Sequence, residues 1–326
     1  MTHRFRPLLT AALVLSAVCA VPAALAQDVR TWPQKPVRIV LPTPPGAPVD
    51  FILRLLQPKL QALWGQPVVI DNKPGAGGNI SLQEVARATD GHTLYGGPDT
   101  VVTVNPHLYQ KMGFNPATDI VPITYMAGFN QMLVCNPSTG FGNATAMLKA
   151  ARKASVTYAS SGPGGPSHMA MEMLLGSTNV KMVHVPYRGP APAALDIVGG
   201  QVQCGFIVST VVLPFVKDGR LTALAVSGGK RSPQAPNVPT IAEEAVVGFD
   251  ASFFETLQAP ASLPKPIIEK IRNDVAKLLE TPEMKARLRE VDLLAVANTP
   301  AEAAKRSAAD SAKWGRVAKL VNLKLD

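Results

Sequence analysis

The chain has 326 residues, and its 32 Lys or Arg against 23 Asp or Glu give a formal net charge of +9 at pH 7. Apolar residues make up 47% and aromatic residues 6%, which fits a compact α/β protein long enough for two packed domains. The basic residues are spread along the chain and form no run interleaved with aromatic side chains. The charge therefore does not indicate a nucleic-acid partner.

The first 26 residues have the pattern of a secretory signal peptide. Basic residues precede a long apolar run, and the segment ends in Ala24-Leu-Ala26, an Ala-x-Ala cleavage site. Cleavage after Ala26 leaves 326 − 26 = 300 residues with a net charge of +9 − 2 = +7, because two arginines leave and no acid does. No later run approaches the length of a membrane span, so we expect a periplasmic protein.

The first candidate site is the turn between a predicted strand, Val37–Leu41, and a predicted helix, Pro48–Trp64. Pro48 suits the first helical position, and the carboxylate of Asp50 is favoured in the first turn. Free N–H groups at such a helix start can hold a carboxylate or a phosphate. The alternatives are a plain strand-to-helix connection and, for Asp50, a helix-capping role. The candidate ligand-binding residues here are Gly46, Ala47 and Asp50.

Two further loops are predicted at the same edge of the first sheet. A strand at 66–71 leads to the glycine-rich turn 72–79, and a strand at 93–97 ends just before Asp99 and Thr100. Because the carboxyl ends of parallel strands lie at one edge of a sheet, we expect the three loops to converge. Asp99 and Thr100 are therefore candidate cleft residues.

A second domain repeats the pattern. A strand at 131–135 enters it, and a strand at 156–160 leads into a Ser/Gly turn that ends at Pro166, the first position of the next helix. Another strand, 182–186, ends just before Arg188, which either reaches a ligand carboxylate or lies on the surface. The candidate ligand-binding residues of this domain are Ser160, Ser161, Gly164, Gly165 and Arg188.

The order of the elements predicts a discontinuous first domain. We expect residues 27–125 plus 250–326 to form domain 1 and residues 126–249 to form domain 2. Each is predicted to hold a mostly parallel sheet flanked by helices, with a ligand cleft between the two lobes. This is the architecture of a periplasmic solute-binding protein that closes on a hinge.

The residues that carry catalysis in common enzyme classes are not found in a matching pattern. The sequence has no His-Glu-x-x-His metal spacing, no Gly-x-Ser-x-Gly elbow and no Walker lysine. We therefore expect no cofactor, no metal site and no enzyme activity. Cys135 and Cys204 lie on two apolar segments, where a disulfide and a pair of buried thiols are both compatible with the sequence.

Several motifs follow one another in a fixed order, at residues 37–50, 66–79, 158–162 with His168, 184–189, 230–233, 238–240, 257–260, 264–266, 314–315 and 323–326. Together they resemble the motifs of Bug-type receptors, the solute-binding components of tripartite tricarboxylate transporters. The resemblance covers essentially the whole mature chain. It implies a type II-like periplasmic-binding-protein fold and the binding of a small carboxylate by backbone amides, hydroxyls and waters at residues 44–50 and 160–165.

Four positions differ from the usual family pattern. They are Ala47, Val49, Gly165 and Pro190, which remove hydrogen-bond donors or add bulk near the expected cleft. Ala47 and Gly165 keep their N–H groups, so the amide cradle is expected to persist. The changes are compatible with a specificity moved toward a less polar acid.

The sequence thus predicts a monomeric extracytoplasmic receptor for a di- or tricarboxylate, an acidic amino acid or an aromatic acid. Its expected protein partners are transporter subunits in the inner membrane. Two alternatives stay open: a periplasmic sensor that presents its solute to a signalling protein, and a hydrolase whose nucleophile and base meet only on folding.

Overall fold

The computed structural model of the chain describes residues 31–325. The predicted signal peptide and its cleavage site after Ala26 lie outside the described residues. Within residues 31–325, none of the helices combines the length and the apolar character needed to span a bilayer.

Strands and helices alternate along most of the described chain. The strands are β1 (Val37–Leu41), β2 (Val68–Asn72), β3 (Thr93–Pro98), β4 (Ile120–Phe129), β5 (Gln131–Cys135), β6 (Thr157–Ser160), β7 (Val183–Pro186), β8 (Cys204–Val208), β9 (Thr222–Val226), β10 (Phe253–Pro260) and β11 (Leu293–Ala295). The helices are α1 (Pro48–Trp64), α2 (Asn79–Ala86), α3 (Thr100–Thr103), α4 (Asn105–Leu108), α5 (Pro116–Asp119), α6 (Ala144–Ala151), α7 (Pro166–Thr178), α8 (Pro190–Val198), α9 (Ser209–Lys217), α10 (Ile241–Glu244), α11 (Lys265–Leu279), α12 (Pro282–Glu290) and α13 (Pro300–Leu320).

The strands form two sheets, which define two lobes. The first lobe holds a six-stranded sheet in the order β11-β4-β10-β3-β1-β2, and the second lobe a five-stranded sheet in the order β7-β6-β8-β5-β9. The chain enters the second sheet between Phe129 and Gln131 and returns to the first between Val226 and Phe253. The predicted two-lobed α/β fold is confirmed. The domain boundaries at 125/126 and 249/250 stay a prediction. Strand β4 crosses the first of them, because it belongs to the first sheet as far as Phe129.

Parallel pairing is confined to three strands in each sheet. In the first sheet β1 pairs in parallel with β2 and β3, and in the second β6 pairs in parallel with β7 and β8. The remaining pairs, which involve β4, β5, β9, β10 and β11, are antiparallel. The sheets are therefore mixed, not mostly parallel as expected, because the strands that carry the chain between lobes run against their neighbours.

Helix α1 shows why the first lobe folds as the sequence predicts. An amphipathic helix packs on a sheet through one continuous apolar stripe. In α1 this stripe consists of residues that recur at helical spacing and are buried in the core: Val49, Ile52, Leu53, Leu56 and Leu60. Pro48 occupies the first turn, and Gly65 ends the helix in the left-handed conformation with its N–H bonded to the Gln61 carbonyl. Sequence signals at both ends therefore fix the helix that begins at the first candidate loop.

Helix α9 and strands β4 and β11 are not among the elements that the sequence predicts. Helix α9 has the sequence Ser-Thr-Val-Val-Leu-Pro-Phe-Val-Lys, in which β-branched residues and an internal proline are unfavourable for a helix. Its formation depends on tertiary packing, since Val212 and Leu213 are buried in the core of the second lobe. Local propensity is overridden by burial at this position.

The two cysteines that follow the predicted signal peptide form a disulfide in the second lobe. Cys135 on β5 and Cys204 on β8 lie opposite each other in the antiparallel register and are 69 residues apart in sequence. The bond joins the strand that enters the second lobe to its central strands. The alternative of two buried free thiols is excluded for this structure.

Removing the disulfide by the double substitution Cys135→Ala and Cys204→Ala should lower the free energy of unfolding by about 3–4 kcal/mol, because a loop of this length restricts the unfolded chain strongly. Urea unfolding of the mature protein, read by circular dichroism, measures the difference. Wild-type protein unfolded in the presence of a reductant is the control and should match the double variant. An unchanged unfolding midpoint in both cases would contradict the prediction.

Candidate functional site

The loops at the carboxyl ends of the parallel strands of the first lobe meet at one point. A Cβ placed on Gly78, in the loop after β2, would lie 3.1 Å from Pro42 Cβ and 2.6 Å from Val101 Cγ2. Pro42 follows β1 and Val101 follows β3, so all three loops are in contact. The predicted convergence of the three loops is confirmed.

The loops of the second lobe face this point from the other side. A Cβ on Gly189 would lie 3.3 Å from Pro44 Cγ of the first loop, residues 42–47. A Cβ on Gly164 would lie 3.4 Å from Asn105 Oδ1. Gly189 has φ +111 and is in close approach to the first loop, so a side chain there would both strain the backbone and press on Pro44. The predicted cleft between the lobes therefore has the first loop and α4 on one side and the loops after β6 and β7 on the other.

Asp50 holds the first loop in place. Its side chain is buried, and its Oδ2 accepts hydrogen bonds from the Gly46 N–H at 3.0 Å and from Arg54 Nε at 2.9 Å. Its Oδ1 accepts from Asn72 Nδ2 at 3.2 Å, and the same amide nitrogen donates to the Thr43 carbonyl at 2.9 Å. Asp50 thus joins the first loop, helix α1 and the end of β2.

The environment of Asp50 keeps its carboxylate ionised. Burial raises the pKa of Asp50, but the hydrogen bonds from Arg54, Gly46 and Asn72 and the charge of Arg54 outweigh it, so the pKa is lowered overall. The carboxylate is occupied by loop and helix donors on both oxygens. This supports the loop-organising role that the sequence left open beside direct contact with ligand.

Replacing Asp50 by Ala should lower the free energy of unfolding by about 2 kcal/mol, because three donors lose a buried charged acceptor. It should also weaken ligand binding by releasing the first loop. Asp50→Asn keeps the shape and one acceptor and is expected to have an intermediate effect. Chemical denaturation of the three proteins tests this order, and equal stability of wild type and Asp50→Ala would contradict it.

The loop after β6 is held by its own side chains. Ser161 N–H donates to Ser167 Oγ at 2.8 Å, Gly162 N–H donates to Ser160 Oγ at 3.2 Å, and Gly164 N–H donates to His168 Nδ1 at 3.0 Å. These three amides are therefore committed inside the protein and do not point freely into the cleft. The sequence predicts free amide donors at 160–165. The structure has instead a loop in which most of these amides donate to neighbouring side chains.

Two stacked histidines support this loop. The rings of His168 and His184 are 4.1 Å apart, and Tyr158 stacks on His184 at 4.8 Å. Burial lowers the pKa of His168 to about 3, with a further contribution from His184, and burial lowers the pKa of His184 to about 4. Both imidazoles are neutral at neutral pH, so His168 Nδ1 can accept the Gly164 N–H.

Ser160 and His184 have the separation of a nucleophile and its base, since Ser160 Oγ lies 2.6 Å from His184 Nε2. Ser160 is nevertheless fully buried, and its hydroxyl already accepts the N–H of Gly162. A substrate has no access to this oxygen. The pair holds the loop together, and it gives no support to the alternative of a periplasmic hydrolase.

The polar groups left for a ligand in the second lobe are few. Ser161 is partly exposed, and its hydroxyl and that of Ser167 lie 2.7 Å apart, so one hydroxyl proton of the pair is not used between them. Gly165 is partly exposed, and its N–H makes only a long contact of 3.3 Å with the Gly162 carbonyl. Arg188 is exposed and makes no ion pair or hydrogen bond within residues 31–325.

Asp99 and Thr100 lie inside the first lobe. They are 0% and 2% exposed, and the Asp99 carboxylate accepts the backbone N–H of Phe254 on β10 at 3.2 Å. Burial and the charge of Asp310 raise the pKa of Asp99 to about 7. Burial and the charge of Asp99 raise the pKa of neighbouring Glu255 well above its usual range. Their position in the interior argues against the predicted contact with ligand.

The buried carboxyl of Asp99 should make stability depend on pH. Folding raises the pKa of Asp99, so the stability that its carboxyl contributes is fully present below about pH 4 and is lost as the pH rises through about 7. At about 1.4 kcal/mol per pH unit, the free energy of unfolding falls by a few kcal/mol over this range. Asp99→Asn removes this titration. We expect wild type to lose stability relative to Asp99→Asn between about pH 4 and 8 in urea unfolding, and a constant difference would contradict this.

Four cleft residues were not singled out from the sequence: Phe51, Gly189, Thr210 and Val211. Gly46, Pro48 and Phe51 share a cavity of about 120 Å³ with Thr210 and Val211 of α9 and with Val291 and Leu293. Helix α9 was missed, so the sequence analysis gave Thr210 and Val211 no position near the cleft. Gly189 ends the motif at 184–189, but the sequence gave no reason to place it against the first loop. A larger cavity of about 200 Å³ lies between His107 and the end of α13.

Comparison with known proteins identifies the family. Residues 52–323 match the model of the tripartite tricarboxylate transporter family receptor. The chain belongs to this receptor family. Because the family is one of solute receptors, the prediction of a binding protein that is not an enzyme is confirmed.

Individual members of the tripartite tricarboxylate transporter receptor family agree with this assignment. BugT of Bordetella pertussis is 29% identical over 316 residues, which cover 96% of each chain. The structure of Rpa4515 of R. palustris with adipate has a TM-score of 0.85 and 30% identity and covers 90% of this chain and 99% of its own. MatC of Rhodopseudomonas palustris with bound malate has a TM-score of 0.82 and 26% identity, covering 88% and 99%. The resemblance to Bug-type receptors is confirmed.

Proposed function

We propose that this receptor captures a small organic carboxylate between the first loop and the loops of the second lobe and delivers it to a tripartite secondary transporter. The observation that carries the proposal is the opposition of two sets of parallel strand ends across one cleft. Helices α1, α7, α8 and α9 begin at these loops, and the N–H groups of a first helical turn have no acceptor within the helix. Such groups favour an anion.

The ligands of two relatives support a carboxylate. Rpa4515 was solved with adipate and MatC with malate, and both share the fold of this chain over about nine-tenths of its length. In this chain Ala47, Gly165, Ser161 and Arg188 are the residues proposed to donate to the carboxylate. Gly46, whose N–H is taken by Asp50, is proposed to lie beside it. Asp50, Ser160 and Gly164 are proposed to position the loops, and Asp99 and Thr100 to support the first lobe from within.

Capture is proposed to work by hinge closure. The chain passes between the lobes at Asn130 and again between Val226 and Phe253, and movement at these crossings would separate the two sets of loops. A ligand that contacts both lobes binds the closed form more tightly than the open form. It therefore shifts the population toward the closed form by its difference in affinity.

Location and partners follow from the same proposal. The N-terminal pattern and the likeness to the periplasmic binding protein BugD, which has a TM-score of 0.83 and 27% identity, support export to the periplasm. We propose that the exported protein is a monomer. The proposed partners are transporter subunits of the inner membrane. A sensor that presents the loaded receptor to a signalling protein is the alternative, and capture of a membrane permease or of a sensor kinase by the loaded receptor separates the two.

A carboxylate should stabilise the mature protein against heat. At a hundred times its dissociation constant a ligand adds about 2.7 kcal/mol, which is a measurable rise in melting temperature. We expect such a rise with at least one acid in a panel of dicarboxylates, tricarboxylates, acidic amino acids, aliphatic acids and aromatic acids, tested after refolding to remove carried-over ligand.

Gly165→Val should abolish most of this rise with little change in the melting temperature of the free protein. Gly165 has φ −73, and a Cβ there makes ordinary contacts of 3.4 Å and 3.7 Å, so the backbone accepts a side chain whose bulk then enters the cleft. Gly142→Val is a control on bulk, because Gly142 is exposed, has no positive φ and has nothing within 4 Å of a Cβ placed there. Normal binding by Gly165→Val, or no response to any acid in wild type, would contradict the proposed function.

A further inference from the structure

A small cavity joins the two lobes beside the first loop. Its volume is about 120 Å³, and it lies between the start of α1, the start of α9 and the segment around β11. Pro48 and Phe51 stand on one side, Thr210 and Val211 on another, and Val291 and Leu293 close it. It shares Gly46 with the proposed carboxylate site and therefore lies next to that site.

The wall of this cavity is apolar. Phe51, Val211 and Val291 are partly buried side chains packed against the main core, and each leaves part of its surface open. The one side-chain hydroxyl among the lining residues belongs to Thr210. Apolar surface left open between two lobes is covered best by apolar atoms of a ligand.

The residues that line the cavity offer no cation to a second carboxylate. Asp292 lies between Val291 and Leu293 in sequence, is 5% exposed, and accepts a hydrogen bond from Ser232 Oγ at 2.5 Å on one oxygen. Its carboxyl makes no ion pair within the described chain. The residues that line the cavity carry no charge, and Asp292 is not among them. A carboxylate placed in this cavity would therefore lose its hydration without a cation to pair with.

We propose, on the basis of the proposed function, that this cavity is an apolar subsite and that the ligand is an acid with one carboxylate and a hydrocarbon body. The carboxylate end lies at Gly46 and the second-lobe loops, and the body lies between Phe51 and Val211. Engineered apolar cavities of about 150 Å³ take up benzene, so this cavity accommodates a short aliphatic chain or part of a ring.

A series of acids of increasing length tests the subsite. We would titrate the mature protein by calorimetry with acetate, butyrate and hexanoate, and with benzoate, adipate, malate and citrate. Affinity should rise about fourfold for each buried methylene until the cavity is filled. Hexanoate should bind at least about tenfold more tightly than adipate, which has the same length and a second carboxylate.

Substitutions of residues that line the cavity test whether the affinity for the hydrocarbon body arises there. Val211→Thr keeps the shape and adds a hydroxyl, and we expect it to weaken hexanoate binding about fivefold or more. Val247→Thr makes the same change at a position that is 97% exposed, and should leave binding unchanged. Phe51→Ala should weaken benzoate binding, while Leu63→Ala on the same helix, 45% exposed, should not.

The outcomes separate this inference from the function on which it rests. If adipate, malate or citrate binds as tightly as hexanoate or more tightly, the receptor function stands and the apolar subsite is wrong. The subsite is also wrong if Val211→Thr and Val247→Thr bind hexanoate equally well. If no acid of any kind binds, the carboxylate function itself fails, and the inference fails with it.

Discussion

The cleft depends on one buried carboxylate, that of Asp50. A loop that leaves a strand and enters a helix has polar backbone groups to satisfy and little regular structure to satisfy them. In the first loop Asp50 meets this need, because its two oxygens accept hydrogen bonds from the loop itself, from α1 and from the end of β2. Fixing that loop places Pro44 against Gly189 and Gly46 beside α9. The contact between the lobes is therefore built on an interaction within one lobe.

In the second lobe, neutral side chains fix the loop after β6. Ser160, Ser167 and His168 take up the N–H groups of the loop after β6, and the stacked imidazoles are kept neutral by burial. A rigid loop loses little conformational entropy when a ligand binds, which favours affinity from a small number of contacts. It also leaves only a few groups, at Ser161, Gly165 and Arg188, for the contact with ligand that we propose.

The sequence predicted the fold better than it predicted the roles within the site. Pro48, Gly65 and the apolar spacing of α1 are local signals, and they locate the helix correctly. The strand order and the antiparallel return of β10 depend on contacts between distant segments, which no local pattern records. Asp99 shows the same limit, because its place after β3 suggested the cleft while its side chain turns toward β10. Thr210 and Val211 were missed because a helix of β-branched residues is unfavourable unless packing supports it.

The central claim is that ligand is held between the first loop and the loops of the second lobe. A titration of isotope-labelled mature protein, followed through its backbone amide resonances, tests this most directly with any acid that raises the melting temperature. The account predicts that the largest shifts fall in four segments, at residues 43–51, 161–168, 187–191 and 209–212. Shifts centred on His107, Gly315 and Asn322, which line the larger cavity at the end of α13, with the four segments unchanged, would contradict it.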